Sequence, residues 1–251
     1  MQVNMRSMDE TPITRRLLLG IDFGTTYSSV AYALHEWNTG QQPSTIALNE
    51  TKIHSVQFDF AKSQVKTQIA WHAADHDYVW GDDVDVQIRD KEVSEGDRIV
   101  MLKLGLDKSD ATRGIRAKQA DQLSRIPPTY WAGDGHRRQP LVEDLISIYL
   151  GKLYGYAKNK IIKHFGILAD GNIFDMTDVQ CAICVPAIWT PETNQVMVTA
   201  AEKAAIPNPD IVSESEAAAA FIMHEQQQQA AASIRTLGPL GSIMPHVSET
   251  P

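Results

Sequence analysis

The stretch that decides the fold is residues 17–34, LLLGIDFGTTYSSVAYAL. A dense apolar run over residues 17–23 leads into a turn at residues 24–27, and a second run rich in apolar and β-branched residues follows over 28–34. Two such runs separated by a glycine-containing turn are typical of a β-hairpin. The sequence therefore predicts that the fold begins with a hairpin.

The turn of this hairpin carries groups that suit a phosphate and a metal ion. Gly24 lets the backbone approach a phosphate closely, and consecutive turn amides form an anion-binding nest. Thr25 and Thr26 add hydroxyl donors, and Asp22 ends the first strand, where a carboxylate can hold a hydrated Mg²⁺. The pattern is neither a dinucleotide-binding fingerprint nor a P-loop. From these residues alone, a phosphate site and a carboxylate that only stabilises the turn both remain open.

The rest of the chain predicts an α/β protein. The expected elements are a helix over residues 141–161 with Pro140 in its first turn, a strand over 178–186, a helix from the N-cap Thr190 through Pro191 to Ala205, a strand over 210–212 and an alanine-rich helix over 216–229. Strands that alternate with helices after a hairpin predict parallel strands beside it in a mixed sheet. Ligands of such sheets gather at the carboxyl ends of the strands, where Asp22, Pro186 and Glu214 all fall.

Three regions flank or interrupt this pattern. Residues 1–16 are polar and are expected to be disordered, and residues 226–251 form a low-complexity tail for which we expect the same. Residues from about 50 to 139 are less regular, with short strand-like pieces at 55–60, 68–71 and 78–81. We interpret them as a smaller α+β lobe inserted into a main lobe that spans residues 17–225.

Composition excludes several classes of protein. The 251 residues carry 23 basic and 31 acidic side chains, a net charge of −8, which disfavours a nucleic-acid binder. No apolar run approaches the roughly 20 residues that span a bilayer, and no secretory signal core is present, so we expect neither membrane contact nor export. Two cysteines cannot form a disulfide-stapled scaffold. A reduced, cytoplasmic location is expected.

Two short motifs suggest metal or redox chemistry but are better explained without it. Cys181 and Cys184 form a C-x-x-C on the predicted strand, where residues three apart point to opposite faces. We interpret them as small core residues. His72 and His76 would share a face of a helix and could bind a metal together, but the region is expected to contain strands and loops.

Six segments, in order along the chain, resemble one protein family. They are GIDFGTTYSSV (residues 20–30), YVWGDDV (78–84), MLKL (101–104), VPAIW (185–189), AAEKA (200–204) and SESEAAA (213–219). Together they resemble the seventy-kilodalton heat-shock (DnaK-type) chaperones of the actin-like ATPase superfamily. The resemblance covers residues 17–223, and Trp189 with the serine- and glutamate-rich segment is closest to a divergent, largely fungal branch.

The resemblance implies a fold, a ligand and a role for each site residue. The fold is the first lobe of an actin-like (ribonuclease H-like) ATPase, with a mixed five-stranded sheet, flanking helices and an inserted smaller α+β lobe. The ligand is ATP or ADP with Mg²⁺. Gly24, Thr25, Thr26 and Tyr27 would contact the β- and γ-phosphates, and Asp22 would hold Mg²⁺ through water. Lys103 would lie by the γ-phosphate, and Glu214 would orient water or metal.

Departures from the family pattern keep the function open. Lys103 lacks the arginine that usually follows the catalytic lysine, and Ser215 replaces a proline. The family's second phosphate loop, Asp-x-Gly-Gly-Gly-Thr, and its peptide-binding domain have no counterpart in these residues, so the chain resembles a truncated form. ATPase activity, a non-catalytic interaction protein and a sugar-kinase-like phosphotransferase lobe are the alternatives. Co-chaperone partners are implied by the resemblance only, and apolar surface around 217–223 is expected to be uncovered.

Overall fold

A computed structural model describes residues 13–38, 51–130, 136–166 and 171–236. The strands are β1 (Ile13–Phe23), β2 (Tyr27–Asn38), β3 (His54–Ser55), β4 (Val65–Lys66), β5 (Gln68–His72), β6 (Asp77–Trp80), β7 (Ile99–Val100), β8 (Thr129–Tyr130), β9 (Arg137–Arg138), β10 (Asp178–Val185) and β11 (Pro209–Ser213). The helices are α1 (Asp83–Arg89), α2 (Leu102–Gly105), α3 (Arg113–Ser124), α4 (Val142–Phe165), α5 (Pro191–Lys203) and α6 (Glu214–Thr236).

The main sheet is mixed, as predicted. Its strand order is β11-β10-β1-β2-β3, and the short β4 pairs with β2 beside this path. The strands β1 and β2 form the predicted antiparallel hairpin, while β10 runs parallel to both β1 and β11. A parallel pair requires a crossover connection, usually a helix, and α5 is that connection between β10 and β11. The structure is therefore a mixed α/β protein with flanking helices.

One face of this sheet is buried beneath α4 and α5. The side chains of β1 alternate, so that Leu17, Leu19, Ile21 and Phe23 are all nearly inaccessible to solvent. They belong to one core with residues of three other elements, namely Cys181, Ile183 and Val185 of β10, Leu145, Tyr149 and Leu153 of α4, and Met197 and Ala201 of α5. The opposite face, with Leu18, Gly20 and Ala182, is only half-buried. Burial thus fixes which side chains of β1 and β10 are left available on the second face.

The ends of α4 and α5 follow from local capping. The Asp144 carboxylate accepts a hydrogen bond from the Leu141 backbone N–H at 2.8 Å, and α4 ends at Gly166, whose φ of 78° favours glycine. Pro140 therefore precedes α4 rather than occupying its first turn, and the helix extends beyond the predicted residue 161. The predicted start of α5 is confirmed, because Thr190 Oγ1 accepts from the Thr193 N–H at 3.3 Å.

The inserted region is partly as expected. The pieces predicted at 68–71 and 78–81 correspond to β5 and β6, which form a small sheet with β7. The strand predicted over 55–60 is wrong beyond Ser55, because residues 59–61 form a 3-10 turn in which Phe60 has a φ of 60°. A left-handed residue cannot continue a strand.

Two predicted disordered segments are partly ordered. Residues 13–16 belong to β1, because Arg15 pairs with Glu36 at 2.7 Å and Arg16 pairs with Asp178 at 2.8 Å, which extends the ladder. Residues 226–236 continue α6, in keeping with the high helix propensity of glutamine and alanine. The remaining parts of both predictions, residues 1–12 and 237–251, lie outside the described residues.

Candidate functional site

The site is built at the carboxyl ends of three neighbouring strands. Asp22 pairs in register with Cys184 of β10, and Cys184 pairs with Val212 of β11, so the three side chains share one face of the sheet. Glu214 follows Val212 by two residues and is the first residue of α6. Strand alternation ends at Ser213, but the Glu214 carboxylate lies close enough to Asp22 to raise the pKa of Asp22, so both carboxylates belong to this edge. This is the arrangement that the strand order predicts.

Hydrogen bonds from the segment around β4 fix the position of the hairpin turn. The Thr67 N–H donates to the Thr26 carbonyl at 2.8 Å, and the hydroxyls of Ser28 and Thr67 lie 2.8 Å apart in a buried contact. A Cβ atom at residue 24 would overlap the carbonyl oxygen of Tyr27, so only glycine fits this backbone. The turn is therefore a fixed element whose outer residues, Thr26 and Tyr27, remain exposed to solvent.

Lys103 is the second residue of α2, a helix that begins after Met101, whose φ is 56°. Its side chain is only 2% exposed, and its Nζ donates to Glu214 Oε1 at 2.6 Å. The Trp189 ring lies on another side of the ammonium, with its centroid 5.9 Å from Nζ. A buried ammonium needs such partners, because removing an unpaired charge from water is costly. The structure thus brings together two of the predicted residues that are 111 positions apart in sequence.

Glu214 is free to make this contact because another residue caps α6. The Glu216 N–H donates to Ser213 Oγ at 3.1 Å, and Glu216 Oε2 accepts from the Ser213 N–H at 3.0 Å. This reciprocal pair is a capping box. A first-turn glutamate is ordinarily explained by the helix dipole. Here the capping role belongs to Glu216, and the carboxylate of Glu214 points to Lys103 instead.

Asp22 is electrostatically linked to both members of this ion pair. Partial burial raises the pKa of the Asp22 carboxyl above its ordinary value, the Lys103 ammonium opposes this rise, and the Glu214 carboxylate adds to it. Burial, and then the negative charge of Asp22, likewise raise the pKa of the Cys184 thiol. The side chain of Asp22 nevertheless stays accessible to solvent. The Lys103 ammonium therefore lies beside the turn with two carboxylates, those of Asp22 and Glu214, that are both accessible to solvent.

A cavity of about 250 Å³ lies on the other side of the turn. Thr25, Thr26 and Tyr27 line it together with Lys66, Thr67, Gln68, Arg98, Val100 and Met101. Both cations in this lining are paired, since Asp85 contacts Lys66 at 2.8 Å and Arg98 at 3.1 Å. The cavity is therefore lined both by the threonines of the turn and by basic side chains.

All seven predicted site residues lie at this edge of the sheet, but sequence reasoning missed three of their neighbours. The prediction that Cys184 is a core residue is wrong, because Cys184 is half-buried and pairs with Asp22 across the parallel strands β10 and β1. Trp189 belongs to a family-like motif, but nothing in the sequence predicts its contact with Lys103. Arg98 carries no recognisable pattern.

The other sequence motifs do not form a metal site. Cys181 is buried and Cys184 is half-buried on opposite faces of β10, and both are free thiols. His72 contacts Asp75 through Nδ1 at 2.9 Å and Glu92 through Nε2 at 3.1 Å, so the two carboxylates lie against different ring nitrogens. Among residues 13–38, 51–130, 136–166 and 171–236, no group of three or more histidine, cysteine, aspartate and glutamate side chains is arranged to hold a metal ion.

Comparisons with known proteins identify no relative. No protein-family model matches the chain, and no curated protein matches it. Within the described part of the chain, none of the helices combines the length and the apolar character needed to cross a membrane. The fold and the site therefore define a mixed α/β protein with an ion pair, an accessible carboxylate and a glycine turn gathered at the carboxyl edge of its sheet.

Proposed function

We propose that this chain binds ATP or ADP together with Mg²⁺ at the carboxyl edge of the main sheet, as the first lobe of a DnaK-like, actin-like ATPase. The observation that carries the proposal is the contact of 2.6 Å between the Lys103 ammonium and the Glu214 carboxylate, formed beside Asp22 and the Gly24 turn. The family resemblance assigns a role to each of these residues, and the folded chain gathers them at one edge.

Each of these residues would have its own part in binding the nucleotide. The hydroxyls of Thr25 and Thr26 and the backbone amides of residues 24–27 would hold the phosphates, since consecutive turn amides form an anion-binding nest. Lys103 would balance the negative charge of the terminal phosphate. Glu214 would orient a water molecule, and its bond to Lys103 fixes the position of both side chains.

The residues at this edge also fit a magnesium ion. Mg²⁺ keeps several water ligands and is usually held by one or two carboxylates plus the substrate phosphates. Asp22 is a carboxylate of this kind, accessible to solvent and next to the turn. When bound, the ion would neutralise charge on the phosphate oxygens. The role of Asp22 itself is to hold the hydrated ion, for which it must be ionised.

Binding without turnover is the form of the function that these residues support best. Phosphoryl transfer depends on groups positioned on all sides of the phosphate, and the described site residues form one wall. We therefore propose nucleotide binding for these residues, and ATP hydrolysis with chaperone-type partners would also need groups on the other sides of the phosphate. The pairing of Lys103 with Glu214 favours this branch over a sugar-kinase-like lobe, which uses an aspartate base. We include a cytoplasmic location in the proposal because a chain with two cysteines is not a disulfide-stapled scaffold.

Titration calorimetry with Mg-ADP, using Asp22→Asn as the test variant, decides the proposal. Loss of a charge-assisted contact is worth about 1.5–3 kcal/mol, so Asp22→Asn should weaken Mg-ADP binding by roughly 10- to 100-fold. Without Mg²⁺, Asp22→Asn should bind ADP at least as well as the wild type, because it removes a negative charge beside the phosphates.

Asp178→Asn is the matched control. It removes a carboxylate from the opposite end of the same sheet, where Asp178 pairs with Arg16 at 2.8 Å, and should leave Mg-ADP binding unchanged. Equal binding of Mg-ADP by the wild type and Asp22→Asn would remove Asp22 from the site, and the absence of any binding would refute the proposed function.

A further inference from the structure

Two histidines from distant parts of the chain contact each other at the edge of the main sheet. His54 is the first residue of the edge strand β3, and His164 lies in the last turn of α4. Their ring centroids are 4.7 Å apart, with an angle of 58° between the ring planes. The ring of Tyr32 on β2 stacks on His54 at 5.3 Å and lies at a steep angle to His164 at 5.7 Å. These three rings form a clasp that joins β2, β3 and the end of α4.

The strand that the clasp holds is short and lies at the edge of the sheet. Among the described strands, β3 pairs with β2 alone, and it is two residues long. Directly after it, the N–H of the buried Val56 donates to the Val30 carbonyl at 2.8 Å. Short edge segments open locally at a lower free energy than the centre of a sheet. The clasp is therefore one of the contacts on which the closed position of β3 depends.

The clasp is weakened when both of its imidazoles are charged. Two like charges at this distance repel each other by roughly fourfold in an equilibrium constant at the dielectric of water, and by more where burial lowers the dielectric. Burial, then the neighbouring His164 and then the Lys52 ammonium lower the pKa of His54 below its ordinary value of 6.5. The surroundings of His54 thus disfavour its charged form.

The other groups that face the pair do not offset a second positive charge. Burial raises the pKa of Tyr32, so its hydroxyl stays neutral and supplies no negative charge. Within the described part of the chain, no carboxylate forms an ion pair with either His54 or His164. The last turn of a helix favours a cation, so α4 tolerates a charge on His164. The cost of the second proton therefore falls on His54.

We propose that the clasp is an acid-sensitive device, which keeps β3 on the sheet at neutral pH and releases it when His54 and His164 are both protonated. Released His54 has its ordinary pKa of 6.5, whereas clasped His54 has a lower pKa. The open state therefore binds more protons as the pH falls below 6.5. The stabilisation by the clasp is present above that pH and is lost as the pH falls from 6.5 through the lower pKa of the clasped form.

Hydrogen exchange of the Val56 amide in the full chain tests this device. A histidine that titrates at its ordinary pKa when released and stays neutral when held favours release by up to roughly tenfold between about pH 7.5 and about pH 5.5. After correction for the intrinsic exchange rate, opening at Val56 should therefore increase by roughly three- to tenfold over this range. The Thr67 amide is the matched control, because it donates at the same 2.8 Å to the Thr26 carbonyl just before β2 and should show no such increase.

Three variants assign the response to the clasp. His54→Phe keeps an aromatic ring but takes up no proton, so opening at Val56 should no longer depend on pH in this range. His164→Phe should reduce the response without abolishing it, since burial and Lys52 still act on His54. His76→Asn should keep the full response, because it removes an exposed histidine of the inserted region whose φ of 52° suits asparagine.

The imidazole signals of the wild type provide a measurement that needs no variant. In NMR, the His54 ring should titrate below pH 6.5. A His54 ring that titrates at or above this value would overturn the proposal. So would a Val56 amide whose opening does not respond to acid, a response of equal size at Thr67, or a response that persists in His54→Phe.

Discussion

Removing the carboxylate from the Lys103–Glu214 pair should destabilise the protein more than removing the ammonium. Glu214→Gln leaves Lys103 as a charged group that is 2% exposed and has lost its hydrogen-bonded counter-charge, so that only the more distant Asp22 carboxylate still acts on it. Lys103→Met replaces the buried charge by an apolar side chain of similar length, and Glu214, which is 52% exposed, can then be solvated by water. The two variants delete the same contact but leave opposite partners behind.

The burial of each partner sets the magnitudes. Breaking a fully buried pair costs about 3–5 kcal/mol, whereas an exposed pair is worth about 0–1 kcal/mol. Because Glu214 is half exposed, Glu214→Gln should lower the free energy of unfolding by about 1–3 kcal/mol, between these limits. The Trp189 ring, whose centroid lies 5.9 Å from Nζ and so near the limit of a cation–π contact, offsets about 0.5–2 kcal/mol of this cost. Lys103→Met should stay within about 1 kcal/mol of the wild type, and the double variant should resemble Lys103→Met.

Urea unfolding of the wild type, both single variants and the double variant gives the coupling energy of the pair. The Arg15–Glu36 pair provides the control, since its side chains are 38% and 46% exposed and Glu36→Gln should cost about 0.5 kcal/mol or less. The reasoning fails if Glu214→Gln costs no more than Lys103→Met, or if Glu36→Gln costs as much as Glu214→Gln.

Three further predictions concern the turn, the pH dependence and turnover. Gly24→Ala should distort the turn by overlap with the Tyr27 carbonyl and abolish Mg-ADP binding in calorimetry, whereas Gly20→Ala, whose Cβ meets open space, should bind normally. Because Mg²⁺ requires ionised Asp22 and burial raises the pKa of Asp22 above 3.8, Mg-ADP binding should be lost on acidification at a higher pH than for an ordinary aspartate. Glu214→Gln removes a neighbouring negative charge and should shift that midpoint to lower pH; an unchanged midpoint would contradict this coupling. The chain alone should release no phosphate from Mg-ATP above the level of Asp22→Asn, and turnover that this variant abolishes would show that one wall is sufficient.

Much of the fold could be predicted from local pattern. The hairpin follows from two apolar runs around the Gly24 turn, and β10 follows from a β-branched run that ends before a proline. The start of α5 follows from Thr190 and Pro191, which is confirmed by the cap that Thr190 forms. These features are predictable because each depends on residues close together in sequence.

Element ends were harder to predict, for identifiable reasons. Residues 13–16 are polar, and it is their ion pairs with β2 and β10 that hold them in the sheet. The start of α6 could have been predicted from Ser213 and Glu216, because their spacing is that of a capping box. Residues 226–236 are helical although their composition predicts disorder. Composition alone therefore does not distinguish a disordered glutamine-rich segment from a helical one.

The candidate site was predictable as a set of residues but not as a set of contacts. Strand order placed Asp22 and Glu214 at one edge, since carboxyl ends of parallel strands meet there. The bond from Lys103 to Glu214 joins the inserted region to the main sheet across 111 residues, and no local pattern encodes it. The position of Trp189 over Lys103 is likewise a product of tertiary packing.

The central claim is that the turn and the strand ends around Asp22 bind a magnesium nucleotide, and amide NMR tests it most directly. In a ¹⁵N-labelled sample, Mg-ADP should shift the backbone amide signals of residues 24–27 and of Asp22, in proportion to site occupancy, while signals from the opposite end of the sheet around Asp178 stay unchanged. Mg-pyrophosphate should shift the same turn amides, because the phosphates rather than the adenosine contact this wall. Shifts confined to residues away from Asp22 and the turn, or no shifts at saturating Mg-ADP, would contradict the claim.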